Sequence, residues 1–332
     1  LIMAGTAAVV VKEVKAYSTS YHGRSLEQWL AELDDQKPGP AFDRAADAVR
    51  HIGKNGVPII IAKLRAKGPV DHRVIVACYV LGPDAEPAIP DLVRIINRGF
   101  IQGYVGAALG QIGPAGVAPL AELSTNRNDG IRSEAVSALG NMYYVPANHN
   151  ALRTVAVPVL ISRLKDSSPY VRYSAAMALG QIAEDETAAV PALIPVLQDP
   201  DSQTRWCACL GIGKFGSAAK AAVPALSAAL NDKATDVRHT AAIALVEIDP
   251  ENIEQLNSLM PILIENINGI GGRNFNFRST TAEALAMCGS KAGAAVPALL
   301  KAVENTSDIE QQRIIDSLKK IDPVAATNAG LK

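Results

Sequence analysis

The side chains best suited to chemistry in this sequence are its histidines and cysteines, and their spacing predicts no shared site. They are His22, His51, His72, His149, His239, Cys78, Cys207, Cys209 and Cys288. The sequence has no CxxC pair, HExxH zinc motif, Walker A loop or GxSxG elbow. Each cysteine falls in an alanine-rich run that is typical of a buried helix. We therefore predict structural thiols, no catalytic residue, no metal site and no cofactor.

A row of arginines is the second candidate. Each lies at the second position of a predicted helix, and the row is Arg132, Arg172, Arg205, Arg238 and Arg278. Acidic turn residues such as Asp166, Asp199 and Asp232 lie near these helix starts. A two-pronged contact between guanidinium and carboxylate fixes the orientation of both groups. Two interpretations stay open: a structural ladder between neighbouring helices, and a row that binds an anionic ligand.

Large side chains follow three of these arginines at matching helix positions. They are Tyr173 and Met177, then Trp206 and Leu210, then His239 and Ile243. On a helical wheel the first pair lies opposite the apolar face of its own helix. Trp and Tyr are enriched in the energetic centres of protein interfaces. We predict that the six side chains form one partner-binding patch; the alternative is that they pack between adjacent helices.

A repeat of about 33 residues must position these side chains. Apolar residues precede prolines that recur 29 to 39 positions apart, at Pro58, Pro90, Pro119, Pro158, Pro191, Pro224, Pro261 and Pro297. Proline suits the first turn of a helix, so each should begin a helix that we call A. The arginine-bearing segment, clearest at Val171–Gly180, should form the second helix, B. We predict Pro191, Pro224 and Pro297 in the first turns of their A helices.

This alternation of A and B helices resembles HEAT repeats, and in particular the short alanine-rich subtype seen in bilin-lyase-like bacterial proteins. The resemblance covers residues 25–322. It implies an all-α superhelix, or solenoid, of about eight to nine helix pairs, with the patch on the concave face. The function expected from it is a non-catalytic scaffold for a protein or peptide. The alternative is a bilin-lyase-like or other HEAT-based enzyme that acts on a bound ligand.

The balance of charges bears on the class of partner, and breaks in the repeat bear on how the chain is divided. There are 32 basic and 33 acidic residues, which predicts no binding of nucleic acid. We divide the chain into an N-terminal tail at 1–24, the solenoid at 25–322 and a C-terminal tail at 323–332. Two breaks in the period, at 141–153 and 268–276, are either tolerated insertions or functional loops.

The first residues bear on location. Leu1–Val11 is apolar but too short to span a bilayer, which takes about 20 residues. Two interpretations stay open: the remnant of a signal or membrane anchor, and an ordinary tail. Tyr21–Leu30 resembles the opening of exported bacterial HEAT-repeat proteins. An exported or membrane-anchored bacterial location is therefore the expectation, with the anchor as the only contact with a membrane.

Overall fold

The computed structural model describes residues 19–98, 103–183, 185–269, 277–306 and 308–331. Two compact units divide the chain, Leu1–Arg163 and Leu164–Lys332. Each unit consists of stacked helix pairs, so the predicted all-helical solenoid fold is confirmed. The apolar run at 1–11 and most of the break at 268–276 lie outside the described residues. No helix in the described ranges combines the length and the apolar character that crossing a membrane requires.

Unit 1 opens with a short hairpin in which β1 (Ser20–Tyr21) pairs antiparallel with β2 (Arg24–Ser25). Its helices are α1 Leu26–Leu30, α2 Pro40–Ile52, α3 Val57–Arg65, α4 His72–Leu81, α5 Ile89–Asn97, α6 Tyr104–Ile112, α7 Val117–Leu123, α8 Asp129–Asn141, α9 His149–Ala151 and α10 Val157–Arg163. Residues 20–24 fall in the predicted N-terminal tail, and the expected all-α fold has no strand there. The hairpin forms because the indole Nε1 of Trp29 donates to the carbonyl of Tyr21, 3.1 Å away, and so holds the first strand.

The described residues of unit 2 form five B helices and the A helices between them. In chain order they are α11 Pro169–Ile182, α12 Glu186–Leu193, α13 Ser202–Gly213, α14 Val223–Ala229, α15 Thr235–Ile248, α16 Ile253–Ile267, α17 Phe277–Met287, α18 Val296–Val303, α19 Asp308–Ile321 and α20 Pro323–Asn328. The last lies in the predicted C-terminal tail. The Asp322 carboxylate accepts a hydrogen bond from the Ala325 amide and so caps the N-terminus of α20. The helix α20 then packs against α19.

Apolar residues at helical spacing make the core of each pair. On α11 the predicted face of Val171, Ala175, Ala178 and Ile182 is buried, with at most 1% of any residue exposed. Small residues let the B helices of unit 2 approach closely. A Cβ added to Gly211 of α13 would lie 2.7 Å from the carbonyl oxygen of Ala176 on α11. This close backbone contact limits rotation of α11 and α13 about their own axes. It therefore determines which of their side chains face away from the core.

The proline prediction is right at two positions and wrong at the third. Pro224 and Pro297 lie in the first turns of α14 and α18. Pro191 lies inside α12, as Pro261 does inside α16. The cause is an earlier cap. The Asp185 carboxylate accepts from the Ala188 amide and starts α12 before the proline, and the Asn252 side chain caps α16 in the same way.

The break at residues 141–153 is folded. Two 3-10 turns, Met142–Tyr144 and Pro146–Asn148, lead into α9 and then into a π-helical segment at Leu152–Ala156. The side-chain amide of buried Asn148 donates to the carbonyls of Gly110 and Met142, both at 3.0 Å. This insertion is thus fastened into unit 1 by a buried amide.

Candidate functional site

The arginine row fixes the start of each B helix in the same way. The Nη1 atoms of four of the arginines donate to the carbonyls six and five residues earlier, in the turn before the helix. These are Arg132, Arg172, Arg205 and Arg238, with donor-to-oxygen distances of 2.8 to 3.5 Å. Each guanidinium therefore holds its own turn closed against its own helix.

Three members of the row also contact the next repeat, 27 positions later. Arg172 binds the carboxylate of Asp199 at 2.7 and 2.9 Å, and Arg205 binds Asp232 at 2.7 and 2.8 Å. Arg278 donates to the backbone carbonyl of Asn305 at 3.2 Å, since an amide residue stands there in place of the acid. These contacts have the form of a ladder between repeats, and the absence of an anionic ligand from this row stays a prediction.

The residues directly after Arg172 and Arg205 are the aromatic members of the predicted patch. Tyr173 on α11 and Trp206 on α13 are both partly exposed, and so is Met177 one turn after Tyr173. Because their arginine neighbours are fixed by two carbonyls and a carboxylate, these side chains are held at a defined helix rotation. Burial raises the pKa of the Tyr173 hydroxyl above its usual 10, so this group stays protonated and able to donate.

Tyr170 is a further surface residue that the sequence analysis missed. Its side chain is 60% exposed, and its ring lies edge-on to that of Tyr173, with centroids 6.0 Å apart. The signal was present, because residues three apart on a helix share a face. We refer to Tyr170, Tyr173, Met177 and Trp206 as the aromatic face of unit 2.

The other half of the predicted patch does not reach the surface. Leu210 is 9% exposed, and His239 and Ile243 are each 1% exposed. The Phe277 ring covers His239 edge-on at a centroid distance of 5.5 Å, and Glu265 Oε1 lies 3.7 Å from its Nε2. A single surface patch of six side chains is therefore wrong, because the next repeat packs over its last third. The competing interpretation, packing between helices, holds for these three residues.

His239 is itself an unusual core residue. Neither ring nitrogen has a hydrogen-bond partner in the described part of the chain, and both are inaccessible to solvent. Burial lowers the pKa of His239 below its usual 6.5, and Arg238 acts in the same direction, against the opposing effects of Glu265 and Asp236. The ring is therefore kept neutral.

The cysteines are buried, as predicted. All four are free thiols, and none is more than 4% exposed. Burial raises the pKa of Cys78, Cys207 and Cys209 to about 12 and that of Cys288 to about 11. A thiol needs its thiolate form to act as a nucleophile, so these groups are unreactive near neutral pH.

Within the described ranges one group of side chains has the donors and spacing of a metal site. It consists of Asp34, Asp35 and His72 in unit 1, whereas the aromatic face belongs to unit 2. The sequence predicts no metal site, because His72 lies 37 positions after Asp35 and the three residues form no known motif.

Comparison with known proteins identifies the repeats. A family model described as HEAT repeats matches residues 157–246 and 190–266, and one described as HEAT-like repeat matches residues 129–182. No curated protein gives a significant match.

Solved structures with a related fold were also found. Kap121p bound to Nup53p is 16% identical, with a TM-score of 0.60 over 91% of this chain and 37% of that one. An engineered protein is 21% identical, with a TM-score of 0.44 over 89% of this chain and 88% of the other. The CpcE and CpcF complex of phycocyanin lyase from Nostoc sp. PCC7120 is 20% identical, with a TM-score of 0.44 over 80% and 94%. At these identities the likeness to Kap121p concerns the fold alone. The HEAT-type repeats that the family models match thus span residues 129–266, where the arginine-anchored helix pairs lie.

Proposed function

We propose that this protein is a non-catalytic scaffold that binds a protein or peptide segment through the aromatic face of unit 2. The observation that carries the proposal is the pair formed by Tyr170 and Tyr173. One ring is 60% exposed and is held edge-on to its neighbour on the same helix. Trp206 takes the matching position on the next B helix and is also partly exposed. Side chains of this kind dominate the energetic centres of protein interfaces.

Rigidity supports the proposal as much as composition does. An interface gains affinity when its contact residues lose little freedom on binding. Tyr173 is braced by the Tyr170 ring, and its backbone neighbour Arg172 is bonded to Asp166, Ser167 and Asp199. Trp206 has the same arrangement through Arg205. The aromatic face is therefore preorganised, and a partner needs to supply a complementary apolar surface.

The buried residues of the original patch have a supporting role in this proposal. Leu210 lies one turn after Trp206, while Ile243 and His239 fill the contact with the next repeat. Because these three residues are buried, we expect no direct contact between them and the partner. The proposed contact set is thus Tyr170, Tyr173, Met177 and Trp206, on the side of the B helices that we expect to be concave.

A structural neighbour is compatible with such a role. Kap121p has been solved with Nup53p and with the SUMO protease Ulp1p, both of them proteins. The likeness lies in the fold, at 16% identity, so it shows only that a fold of this kind can hold a protein partner.

The experiment is affinity capture with the full chain as bait, using extract from the native source. Partners retained by the wild-type protein are then measured against Trp206→Ala, Tyr173→Ala and a control, Tyr144→Ala. Tyr144 is 74% exposed in unit 1, so the control removes an accessible aromatic ring from outside the aromatic face. We expect Trp206→Ala to weaken binding about 30-fold, the equivalent of about 2 kcal/mol, with no effect of the control.

Two results would contradict the proposal. One is equal retention of the partner by Trp206→Ala, Tyr173→Ala and wild type, with only the melting temperature lowered, because this would assign both rings to packing. The other is a coloured or small-molecule ligand that co-purifies with the chain while no protein does. That result would favour the lyase-like alternative.

A further inference from the structure

The geometry points to a binding site for a divalent transition-metal ion, with Zn²⁺ as the best match, formed by Asp34, Asp35 and His72 in unit 1. This site is independent of the scaffold function, since it involves none of the residues of the aromatic face. Its ligands come from two separate segments, the loop that follows α1 and the first residue of α4.

Other contacts hold these two segments together and so position the ligands. Arg73 Nη1 donates to the carbonyl of Ala31 at 3.3 Å, which ties α4 to the start of the loop. The Asp34 carboxylate accepts from the Gln36 amide at 3.2 Å, which fixes its orientation within the loop. Asp71 caps α4 through the Arg73 amide at 3.0 Å and so sets the direction in which His72 leaves the helix. The ligand atoms thus converge before any ion is bound.

The distances in the cluster suit a shared ion better than a direct contact. His72 Nε2 lies 3.5 Å from Asp34 Oδ1 and 3.7 Å from Asp35 Oδ1, and the three ligand atoms lie within 4.8 Å of one another. A hydrogen bond from N–H to oxygen spans about 2.7 to 3.2 Å, so these pairs are too long for one. In tetrahedral zinc, ligand atoms about 2.1 Å from the metal are about 3.4 Å from each other. The two edges that meet at His72, 3.5 and 3.7 Å, are close to that value.

Two of the three ligand atoms are buried and make no hydrogen bond. His72 Nε2 and Asp35 Oδ1 are inaccessible to solvent and make no hydrogen bond with the protein. Burying such atoms unpaired is costly, and a cation between them would satisfy both. The side chains as a whole are 25 to 29% exposed, which leaves an approach for the ion and room for a water as fourth ligand.

The donor types select the class of metal. One imidazole nitrogen with two carboxylate oxygens suits Zn²⁺ and its transition-metal neighbours, whereas Ca²⁺ and Mg²⁺ prefer oxygen alone. The other ring nitrogen of His72 lies 3.8 Å from Asp71 Oδ1, on the side where metal-bound histidines commonly face a carboxylate. Lys37 lies 3.7 Å from Asp34 Oδ2, which is the oxygen outside the cluster. An ion here would pin the loop after α1 to the start of α4.

The test uses the full chain, first stripped of metal with a chelator. It is dialysed against Zn²⁺, and bound metal is counted by mass spectrometry. Co²⁺ titration followed by visible absorption then reports the coordination geometry. We expect one equivalent of Zn²⁺, with binding at least about 10-fold weaker in His72→Ala and in Asp35→Asn. His51→Ala is the matched control, because His51 lies 3.5 Å from Asp47 in an exposed pair without a third ligand.

Circular dichroism checks whether His72→Ala folds. If it does not, the test rests on Asp35→Asn, which keeps the shape of the side chain. Binding of less than one equivalent by wild type would overturn the inference, and so would equal binding by wild type and Asp35→Asn. Either result would leave the cluster as a direct contact between His72 and its two carboxylates, without an ion. The measurement uses no protein partner, so its failure and that of the scaffold proposal are separate outcomes.

Discussion

Arg205 and Asp232 form a nearly solvent-free ion pair between two successive repeats. Both prongs of the guanidinium meet the carboxylate, at 2.7 and 2.8 Å, and the two side chains are 6% and 11% exposed. Burial alone would raise the pKa of Asp232, but hydrogen bonds from Arg205 and the Ala234 amide outweigh it and lower that pKa overall. The pair is thus ionised in the folded protein and fixes one repeat against the next.

Removing one partner should therefore be costly. We expect Arg205→Ala to lower the free energy of unfolding by about 3 kcal/mol, because it leaves a buried carboxylate without its cation. Arg313→Ala is the control, since Arg313 pairs with Glu283 at 2.7 Å where the side chains are 53% and 43% exposed. That change should cost less than about 1 kcal/mol. Urea unfolding of both variants gives the comparison, and equal losses would contradict it.

His239 should make stability depend on pH. Its pKa is lowered by burial, so the unfolded chain takes up a proton near pH 6.5 that the folded protein resists. The free energy of unfolding should then fall as the pH drops below 6.5, by at most about 1.4 kcal/mol per pH unit, until the folded pKa is reached.

The measurement is the urea midpoint at about pH 7.5 and about pH 5.5 for wild type and His239→Phe, which cannot titrate. The difference between the two midpoints should shrink in the variant. Phe277→Leu is the control, because it alters the ring packed on His239 without changing any charge. It should lower stability by the same amount at both pH values. If the two urea midpoints of His239→Phe differ as much as those of wild type, burial of His239 does not cause the pH dependence.

Gly180 should resist replacement although it lies inside a helix. A Cβ there would collide with the Cα of Gly211 and come within 3.0 Å of its carbonyl oxygen. We expect Gly180→Ala to cost about 1 to 3 kcal/mol through overpacking, more than the helix propensity gained. Gly293→Ala is the control, as no atom lies within 4 Å of the added Cβ. Its effect on the melting temperature should be close to zero, and a similar loss in both variants would contradict the expectation.

The early start of α12 should depend on Asp185. Its Oδ1 accepts from the Ala188 amide at 3.2 Å and from the Thr187 hydroxyl at 2.7 Å. Asp185→Ala should cost about 1 kcal/mol and remove the protection of the Ala188 amide from hydrogen exchange. Asp185→Asn retains a capping oxygen, so it should keep most of the stability and most of the protection of the Ala188 amide. If Ala188 stays protected in Asp185→Ala, the cap does not determine where the helix begins.

The features that the sequence could predict were those that recur in every repeat. Helix pairing followed from the proline period, and the buried face of α11 followed from helical spacing. Burial of the cysteines followed from their alanine-rich surroundings. Each depends on neighbours within a few positions, so a local pattern is enough to find it.

What the sequence could not predict depended on contacts with another repeat. Tyr173 and His239 hold equivalent positions, yet one is partly exposed and the other is covered by Phe277. Nothing within α15 distinguishes them. Likewise His72 meets Asp34 and Asp35 only because a loop folds back on α4, and no motif spans that distance. The extent of the surface patch and the grouping of His72 with the two aspartates therefore depend on tertiary contacts.

The spacing of the arginine–acid contacts allows one whole repeat to be deleted or duplicated in the gene. Arg172 and Arg205 each bind an acid 27 positions later, and the two arginines are themselves 33 positions apart. Deleting residues 173–205 would join Arg172 to Trp206 and leave Arg172 again 27 positions before an acid, now Asp232. Duplicating the same stretch would add one more intact rung. Unequal recombination within this stretch can thus shorten or lengthen the chain by one whole repeat while the arginine at the junction still meets a carboxylate 27 positions later.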